Sequence, residues 1–180
     1  MSDFGMHDEE RAVSSDRFSH SSVMPANVRP GQVISLVEVT GSLGSRVDVS
    51  TLADELGADI AVLLPILEAA EMLGLVTNAK GEVHLTDLGS EFQKVTKDKV
   101  PLLKERLAKL EPFRTALELV RRRGEVTAAE VAEELAIEGI TLTHQPDLNE
   151  ALMQGLLIHW CIRASLLAYD GRDGKFRKTD

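Results

Sequence analysis

Soft and borderline metal ligands lie close together near the end of the sequence. His159 and Cys161 flank Trp160, and His144 lies upstream of them. A structural zinc site normally has four ligands at defined spacings. Two residues along a helix also turn by about 200° around its axis, so His159 and Cys161 would point to different sides. We therefore predict packing at this place, and the sequence indicates no metal and no cofactor.

Other motifs that could carry chemistry are incomplete. The run from Gly41 to Arg46 contains two glycines but lacks the spacing and the lysine of a phosphate-binding loop, so the chain alone is not expected to hydrolyse ATP. The segment 170–174 lacks the alternating acids of a calcium loop. No serine can be placed at a strand-to-helix turn beside an ordered histidine and aspartate. We therefore predict that this protein is not an enzyme.

Basic side chains form the candidate surface for a protein partner or for nucleic acid. They gather at the end of one predicted helix and in a predicted hairpin, at Arg121, Arg122, Arg123, Arg172, Lys175, Arg177 and Lys178. The span 94–123 holds ten lysines and arginines against four acidic residues. Such a cluster binds phosphates in a nucleic-acid-binding protein. It is equally typical of a surface for an acidic protein partner, or of a solvated face.

The composition restricts the class of protein. A chain of 180 residues, of which 43% are hydrophobic, is long enough for one or two small domains with cores of their own. The net charge of −9 opposes sequence-independent attraction to nucleic acid and to anionic membranes. No apolar run approaches the roughly 20 residues that cross a bilayer, and the N-terminal residues lack the apolar core of a secretory signal. We therefore expect no membrane insertion and a cytoplasmic location, with which the single Cys161 agrees.

The segment 48–92 predicts a helix-turn-helix followed by a hairpin. A short helix begins after Asp48 and ends before Gly57, and a longer one runs from its cap at Asp59 to Gly74. Two short β segments on either side of 78–81 predict a wing. The expected inner side of the longer helix consists of Ile60, Leu63, Leu64, Leu67, Ala70 and Leu73.

The second half of the sequence repeats this pattern in weaker form. Thr127 and Glu130 form a capping box in front of a helix that resembles the first one. A long helix from Asp147 to about Trp160 and a hairpin around 170–174 follow. The apolar residues available to the core on the long helix are Leu148, Ala151, Leu152, Leu156 and Ile158. Trp160, at the end of this helix, is expected to be buried against the connector or the first domain.

Together these elements predict a mainly helical α+β protein with two winged-helix domains in tandem. We expect a disordered tail at 1–29, a first winged-helix domain at 30–93, a basic helical connector at 94–123 and a second winged-helix domain at 124–180. A helix begins at Pro30, and a short strand at Arg46 joins the first wing. A homodimer would depend on the connector helices, although no heptad pattern there is long enough to predict one.

A winged helix raises the question of DNA, and the charges oppose it. The second helix of such a unit enters the major groove and needs basic or amide side chains near its start. Between Asp59 and Leu73 there are three acidic residues and no basic one, and the span 48–93 holds nine acids against Lys80 alone. DNA binding is therefore disfavoured for the first domain, and would have to use the connector and the second wing.

Several segments of the sequence resemble the AAA-associated C-terminal domain family. They are 25–30, 48–76, 83–92, 156–160 and 168–175, so the resemblance covers both halves in order. That domain is commonly found behind the ATP-binding subunit of nitrate, sulfonate or taurine-type ABC transporters. The resemblance implies an accessory role and supplies no catalytic motif. No ATP-binding cassette precedes the domain in this sequence, so we expect either a stand-alone relative of the family or a subunit that binds its ATPase in trans.

The sequence thus favours a non-catalytic accessory or regulatory module that binds an ABC-type ATPase subunit of nitrate or sulfonate uptake. The alternative is a winged-helix transcription regulator that binds DNA through the connector and the second wing. A third class, a sensor of a small molecule between the two domains, would need a polar pocket that the sequence does not reveal.

Overall fold

The computed structural model describes residues 22–180, which form a mainly helical α+β protein with two small antiparallel sheets. Each half follows the same order of helix, strand, helix, helix and hairpin. This order agrees with the predicted repeat. Each hairpin gains a third strand from the segment that precedes the short helix. The strand predicted at Arg46 for the first wing is confirmed, whereas the corresponding strand of the second half was not predicted.

The first half has a central strand that pairs with both of its neighbours. The elements are α1 Pro30–Ser42, β1 Arg46–Asp48, α2 Val49–Leu56, α3 Ile60–Met72, β2 Val76–Ala79, β3 Glu82–Leu85 and α4 Asp87–Lys94. The sheet order is β1-β3-β2, with Val47 opposite Val83. The predicted cap at Asp59 is confirmed, since its carboxylate accepts from the Ala61 amide at 2.9 Å, and Gly57 has the expected φ of +60° after α2. Asp48 precedes α2 as predicted, but its side chain forms no capping hydrogen bond.

The second half repeats this arrangement after a short irregular stretch. Its elements are a 3-10 turn Val100–Leu103, α5 Lys104–Leu107, α6 Phe113–Arg123, β4 Glu125–Thr127, α7 Ala128–Ile137, α8 Pro146–Leu157, a π-helical turn Ile158–Ile162, β5 Leu167–Asp170 and β6 Lys175–Lys178. The sheet order is β4-β6-β5. The capping box is confirmed, since the Thr127 amide donates to the Glu130 carboxylate at 2.8 Å and the Glu130 amide donates to the Thr127 hydroxyl.

The position of α6 changes the meaning of the basic connector. This helix packs on β4, α7 and β6, as α1 packs on the corresponding elements of the first half. It therefore serves as the first helix of the second unit. The segment between the two units, called the link below, is residues 94–112 and is shorter than the predicted connector. The boundaries of the domains stay a prediction.

The residues just before α1 belong to the core, which corrects the prediction of a tail over 1–29. Met24 and Val28 are buried. The Met24 amide donates to the Glu111 carbonyl at 2.8 Å, and the Glu111 amide donates to the Ser22 carbonyl at the same distance. The physical reason is that burying the Met24 and Val28 side chains between the two halves removes apolar surface from water, which favours an ordered segment. The local sequence does not reveal this contact. Residues 1–21 lie outside the described part, so the tail prediction there is not addressed.

The inner faces of the two long helices also differ from the predicted ones. On α3 the buried positions are Leu63, Ile66, Leu67, Ala69 and Ala70. Ile60 and Leu64, which were predicted to face inward, are 47% and 49% exposed. The helix is apolar on most of its circumference, so periodicity alone does not identify the side that packs.

On α8 the buried stripe differs from the predicted one, with which it shares only Leu156. It consists of Met153, Leu156 and Leu157 and continues into Trp160 and Cys161 of the π-helical turn. Leu148 and Ala151, predicted for the core, are exposed.

Side-chain contacts tie the halves to each other. The prediction for Trp160 is confirmed, because its indole is fully buried, its ring lies 6.4 Å from that of Phe113, and its Nε1–H donates to the Val28 carbonyl at 2.9 Å. Within the link, the Lys99 ammonium donates to the Glu38 carboxylate of α1 at 2.8 Å. The segment before α1 is thereby fixed to the second unit, and the link after α4 is fixed to α1.

Among residues 22–180, no helix combines the length and the apolar character that crossing a membrane requires.

Candidate interaction surfaces

At its N-terminal end α3 exposes aliphatic side chains on two sides, because Val62 lies about 200° around the helix from Ile60 and from Leu64. Ile60, Val62 and Leu64 are 47%, 55% and 49% exposed. Glu68 is exposed one turn further on, and no lysine or arginine occurs from Asp59 to the end of the helix. A surface of this kind is unsuited to DNA phosphates and suited to an apolar protein contact. Sequence periodicity missed it because it assigned Ile60 and Leu64 to the core.

A groove runs alongside this surface, between α3 and α1. It is a cavity of about 310 Å³, open to solvent. Gly31 and Ser35 of α1 line one side, Val62 and Ile66 of α3 line the other, and Leu56 closes one end. The groove is apolar on the α3 side because the helix exposes aliphatic side chains there. No signal in the sequence indicates it, since it depends on the distance between two helices.

Basic residues of the link present a second surface, of opposite charge. Exposed side chains that form no ion pair with another described residue are Lys94, Lys97, Lys104, Arg106 and Lys109. The Arg106 guanidinium lies against Gly74, directly after α3, where the carbonyl end of the helix favours a positive charge. The protein is therefore electrically polarised, with an acidic first unit and a basic link.

The predicted cluster at the end of α6 is partly neutralised by α7. Arg122 lies 3.4 Å from the Glu134 carboxylate, and Arg123 lies 3.6 Å from that of Glu130. Arg121 is exposed and forms no ion pair with another described residue. Three consecutive arginines at a helix C-terminus are favoured by the helix dipole, so a structural role accounts for them.

The predicted cluster in the second hairpin is neutralised more completely. The Lys175 ammonium contacts the Glu125 carboxylate, and Arg177 contacts Glu125 at 2.9 Å and also the Asp173 carboxylate. Arg172 lies 3.6 Å from the Asp170 carboxylate, while Lys178 is exposed and unpaired among the described residues. The structure thus brings Lys175 and Arg177 together around Glu125, and the adjacent carboxylates neutralise their positive charges.

These contacts shift the ionisation of the groups involved. The Lys175 ammonium, and next the Arg177 guanidinium, lower the pKa of the Glu125 carboxyl below its ordinary value of 4.5. Arg177 likewise lowers the pKa of Asp173, and Glu125 raises the pKa of Lys175. Because the pKa of Glu125 is lower in the folded than in the unfolded protein, its ion pairs with Lys175 and Arg177 stabilise the fold fully at pH values above the unfolded pKa. This stabilisation is lost as the pH falls through the folded value.

We expect the carboxyl carbon of Glu125, followed by NMR, to titrate with a midpoint below 4.5. Replacing Lys175→Gln removes the largest cause of the shift, so the midpoint should rise toward that value. Glu82 is the internal control, since Arg46 lowers its pKa in the other sheet, and its midpoint should stay low in the variant. An unchanged Glu125 midpoint in Lys175→Gln would contradict the assigned pairing.

The residues considered for metal binding lie in different environments. His144 and His159 are exposed, whereas Cys161 is fully buried, and burial raises the pKa of its thiol to about 12. A thiol with this pKa is a poor nucleophile and a poor ligand at neutral pH. Within the described part of the chain, no group of three His, Cys, Asp or Glu side chains is placed to hold a metal ion.

Two further cavities lie where the segment before α1 meets the second unit. One, of about 490 Å³, is lined by Met24, Glu68, Thr141 and His144 and lies between the two units. The other, of about 540 Å³, lies between Val28 and α8. Both are wide and open, with few polar side chains converging on one point, which is not typical of a specific small-molecule site. They could not be predicted because residues 22–29 were placed outside the core.

Comparison with known proteins gives one family. A family model described as the C-terminal AAA-associated domain matches residues 50–170, which extend from α2 to the end of β5 and so include both units. No curated protein and no solved structure matches the chain.

Proposed function

Because this chain belongs to the C-terminal AAA-associated domain family, we propose that it is a non-catalytic accessory module that binds an ATPase subunit. The observation that carries the proposal is the extent of the family match, which includes both units and the link between them. A domain named for its association with ATPases acts by contact with one, and two structured units supply the surface for that contact. The ATPase we propose is the ATP-binding subunit of an ABC transporter for nitrate or sulfonate uptake.

Within this proposal, both units are winged helices adapted to protein contacts. The repeated order of helix, strand, helix, helix and hairpin supports the assignment, as does the third strand in each sheet. The helix that would read bases in a DNA-binding relative is α3 in the first unit, and its exposed side is apolar and acidic. Such a side favours a protein partner over a duplex.

DNA binding is the second candidate, and one observation favours it. The five exposed basic residues of the link, Lys94 to Lys109, have no acidic partner among the described residues. The basic side chains of the second hairpin oppose this candidate, because Lys175 and Arg177 already contact the carboxylates of Glu125 and Asp173. A duplex would have to displace these carboxylates before it could use Lys175 and Arg177, so the largest group of basic side chains without an ion pair in residues 22–180 is that of the link.

Affinity purification from the native cells, with and without nuclease, tests the two candidates. We expect a tagged protein to recover an ABC-type ATPase subunit in both conditions, because apolar contacts do not depend on nucleic acid. The purified pair should then remain associated at moderate salt, whereas a complex with DNA loses affinity steeply as salt rises. Recovery of duplex DNA without an ATPase would overturn the proposal and favour the second candidate.

A further inference from the structure

We propose that the cavity between the segment before α1 and helix α8, called the α8 cleft below, binds a short acidic segment of the ATPase partner in an extended conformation. The inference rests on the proposed function, because it names the surface through which the module binds and the chemistry of the segment that it receives. The cleft has a volume of about 540 Å³ and is open to solvent. Its width suits a segment of a protein chain better than a small molecule, which is usually enclosed on most sides.

The α8 cleft is built by both units. Residues 26–29 and Gln32 of α1 line one side, and Ala151, Leu152, Gly155 and His159 line the other. Residues 151, 155 and 159 are spaced by four, so they lie along one side of the helix. Between 151 and 159 the helix rises by about 12 Å, a distance that about four residues of an extended chain cover.

The side chains of the α8 cleft offer a positive charge and no negative one. None of the described residues that line it is acidic. The Arg29 guanidinium is exposed and forms no ion pair with another described residue. His159 adds an exposed imidazole that has no hydrogen-bond partner within residues 22–180. In a chain with a net charge of −9, this local composition favours the carboxylates of a partner.

Two side-chain amides in the α8 cleft favour an extended segment over a helix. The Gln32 side-chain oxygen accepts from the Arg29 amide at 2.8 Å, which leaves the N–H donors of the same side chain without a partner among the described residues. The exposed side chain of Asn27 also has no partner there. Amides of this kind pair with main-chain N–H and C=O groups, which are available in an extended segment and bonded internally in a helix.

The middle of the α8 cleft has room for the segment. A Cβ atom added at Gly155 would meet no atom of the described residues within 4 Å. Ala151 and the partly buried Leu152 add apolar contacts beside this opening. A strand of nucleic acid is disfavoured as the occupant, because it needs several cations along its phosphates and Arg29 is the sole lysine or arginine among the described lining residues.

Gly155→Leu is the variant that fills the α8 cleft without harming the fold. Gly155 lies within α8, where leucine has the higher helix propensity, so the free energy of unfolding should stay unchanged or rise. Gly31→Leu is the matched control. A Cβ at Gly31 also meets no described atom within 4 Å, but this residue lines the groove between α1 and α3 instead.

Arg29→Gln is the variant that tests the charge. The side chain is exposed, so its replacement should change the stability of the fold by no more than about 0.5 kcal/mol. Arg29→Lys keeps the positive charge but loses the planar group that binds a carboxylate through two hydrogen bonds. It should therefore restore part of the binding that Arg29→Gln removes.

The probe is an acetylated and amidated peptide of about eight residues, twice the span of the cleft, in which glutamate alternates with alanine. A matched peptide has glutamine in place of glutamate. With the full chain labelled with nitrogen-15, we expect the glutamate peptide to shift amide signals at 27–32 and 151–159. Arg29→Gln should weaken its binding about tenfold, the loss of one charge-assisted hydrogen bond, and the two peptides should then bind about equally. Gly155→Leu should weaken binding about tenfold or more, and Gly31→Leu should leave it unchanged.

The inference is overturned if the glutamate peptide does not bind, if the glutamine peptide binds the unchanged protein equally well, or if Gly31→Leu weakens binding as much as Gly155→Leu. It is overturned in favour of a simple anion site if sulfate alone causes the same shifts with the same affinity. Tighter binding after Asp8→Asn, Glu9→Gln and Glu10→Gln together would show that the acidic segment of the chain itself is the occupant. A dimer in sedimentation that Gly155→Leu dissociates would show that a second copy is.

Affinity purification with the same variants separates this inference from the proposed function. We expect Gly155→Leu to lose the ATPase subunit that the unchanged protein and Gly31→Leu both recover. Recovery by all three proteins would overturn the inference and leave the proposed function standing, whereas recovery by none would remove the proposed function. Because the α8 cleft offers few charges, the complex should depend only weakly on salt, in agreement with retention at moderate salt.

Discussion

Replacing Trp160→Ala is expected to lower the free energy of unfolding by about 3–5 kcal/mol, the range for removing a large buried aromatic side chain. The indole is fully buried and packs against Phe113 of α6. Its Nε1–H also supplies the hydrogen-bond donor for the buried Val28 carbonyl. The substitution therefore opens a cavity and leaves a polar group without its partner, and both effects have the same sign.

Urea unfolding followed by far-ultraviolet circular dichroism measures this change. Fluorescence is unsuitable because Trp160 is the only tryptophan of the chain. Trp160→Phe separates the two effects, since it keeps most of the aromatic packing but leaves the Val28 carbonyl unpaired, at a cost of about 1–3 kcal/mol. Ile137→Ala, at an 83% exposed site, is the control and should change stability by no more than about 0.5 kcal/mol. A Trp160→Ala protein as stable as the wild type would contradict the described packing.

Replacing Gly89→Ala is expected to destabilise the protein by about 1–3 kcal/mol or more, as overpacking does when no side chain can move aside. An added Cβ would lie 2.0 Å from the Leu75 carbonyl oxygen, which belongs to the backbone. That oxygen accepts from the Thr86 amide and lies 3.1 Å from the Thr86 hydroxyl, so it is fixed in place. The only relief is a shift of α4 away from the start of β2, which would disturb the buried Phe92.

Gly31→Ala provides the contrast for this prediction. It is the same substitution in a helix, but a Cβ at Gly31 meets no described atom within 4 Å. Alanine lowers the conformational entropy of the unfolded chain relative to glycine, so the free energy of unfolding should rise by about 0.4–1 kcal/mol. Chemical unfolding of the two variants in parallel gives both values. Equal stability of Gly89→Ala and Gly31→Ala would show that α4 does not approach Leu75 as closely as described.

Local features of the fold could be predicted because the signals and the structure lie within a few residues. The caps at Asp59 and Thr127, the left-handed Gly57 and the two hairpins depend on hydrogen bonds between near neighbours. Their residue types are specific to those roles. For this reason the repeat followed from the sequence, and so did most of the order of helices and strands, although β4 was not predicted.

Features that depend on distant contacts could not be predicted in the same way. Met24 and Val28 lie in a segment with no helical or strand periodicity, and only Glu111 and Trp160, which are distant in sequence, give them a place in the core. The outer side of α3 was misassigned because nearly every position of that helix is apolar, and only the packing of α1 decides which ones are covered.

The basic cluster near the C-terminus shows that the charge of a surface could not be predicted from the sequence alone. Counting charges along the chain predicted a positive hairpin at Lys175 and Arg177. The acid that compensates them, Glu125, lies about fifty residues earlier and reaches them only through the pairing of β4 with β6. Net charge by segment therefore overestimates the strength of a surface that a sheet assembles from two segments.

The hydrogen bond between Trp160 and Val28 also sets the time at which the chain can finish folding in the cell. The two residues are 132 positions apart. At a synthesis rate of roughly 5–20 residues per second, about 7–26 s pass between the appearance of one and of the other. During this interval the first unit can form its helices and its sheet, but Met24 and Val28 have not yet gained their cover. A chaperone that binds short apolar segments would therefore find this segment accessible on nascent chains and covered in the folded protein.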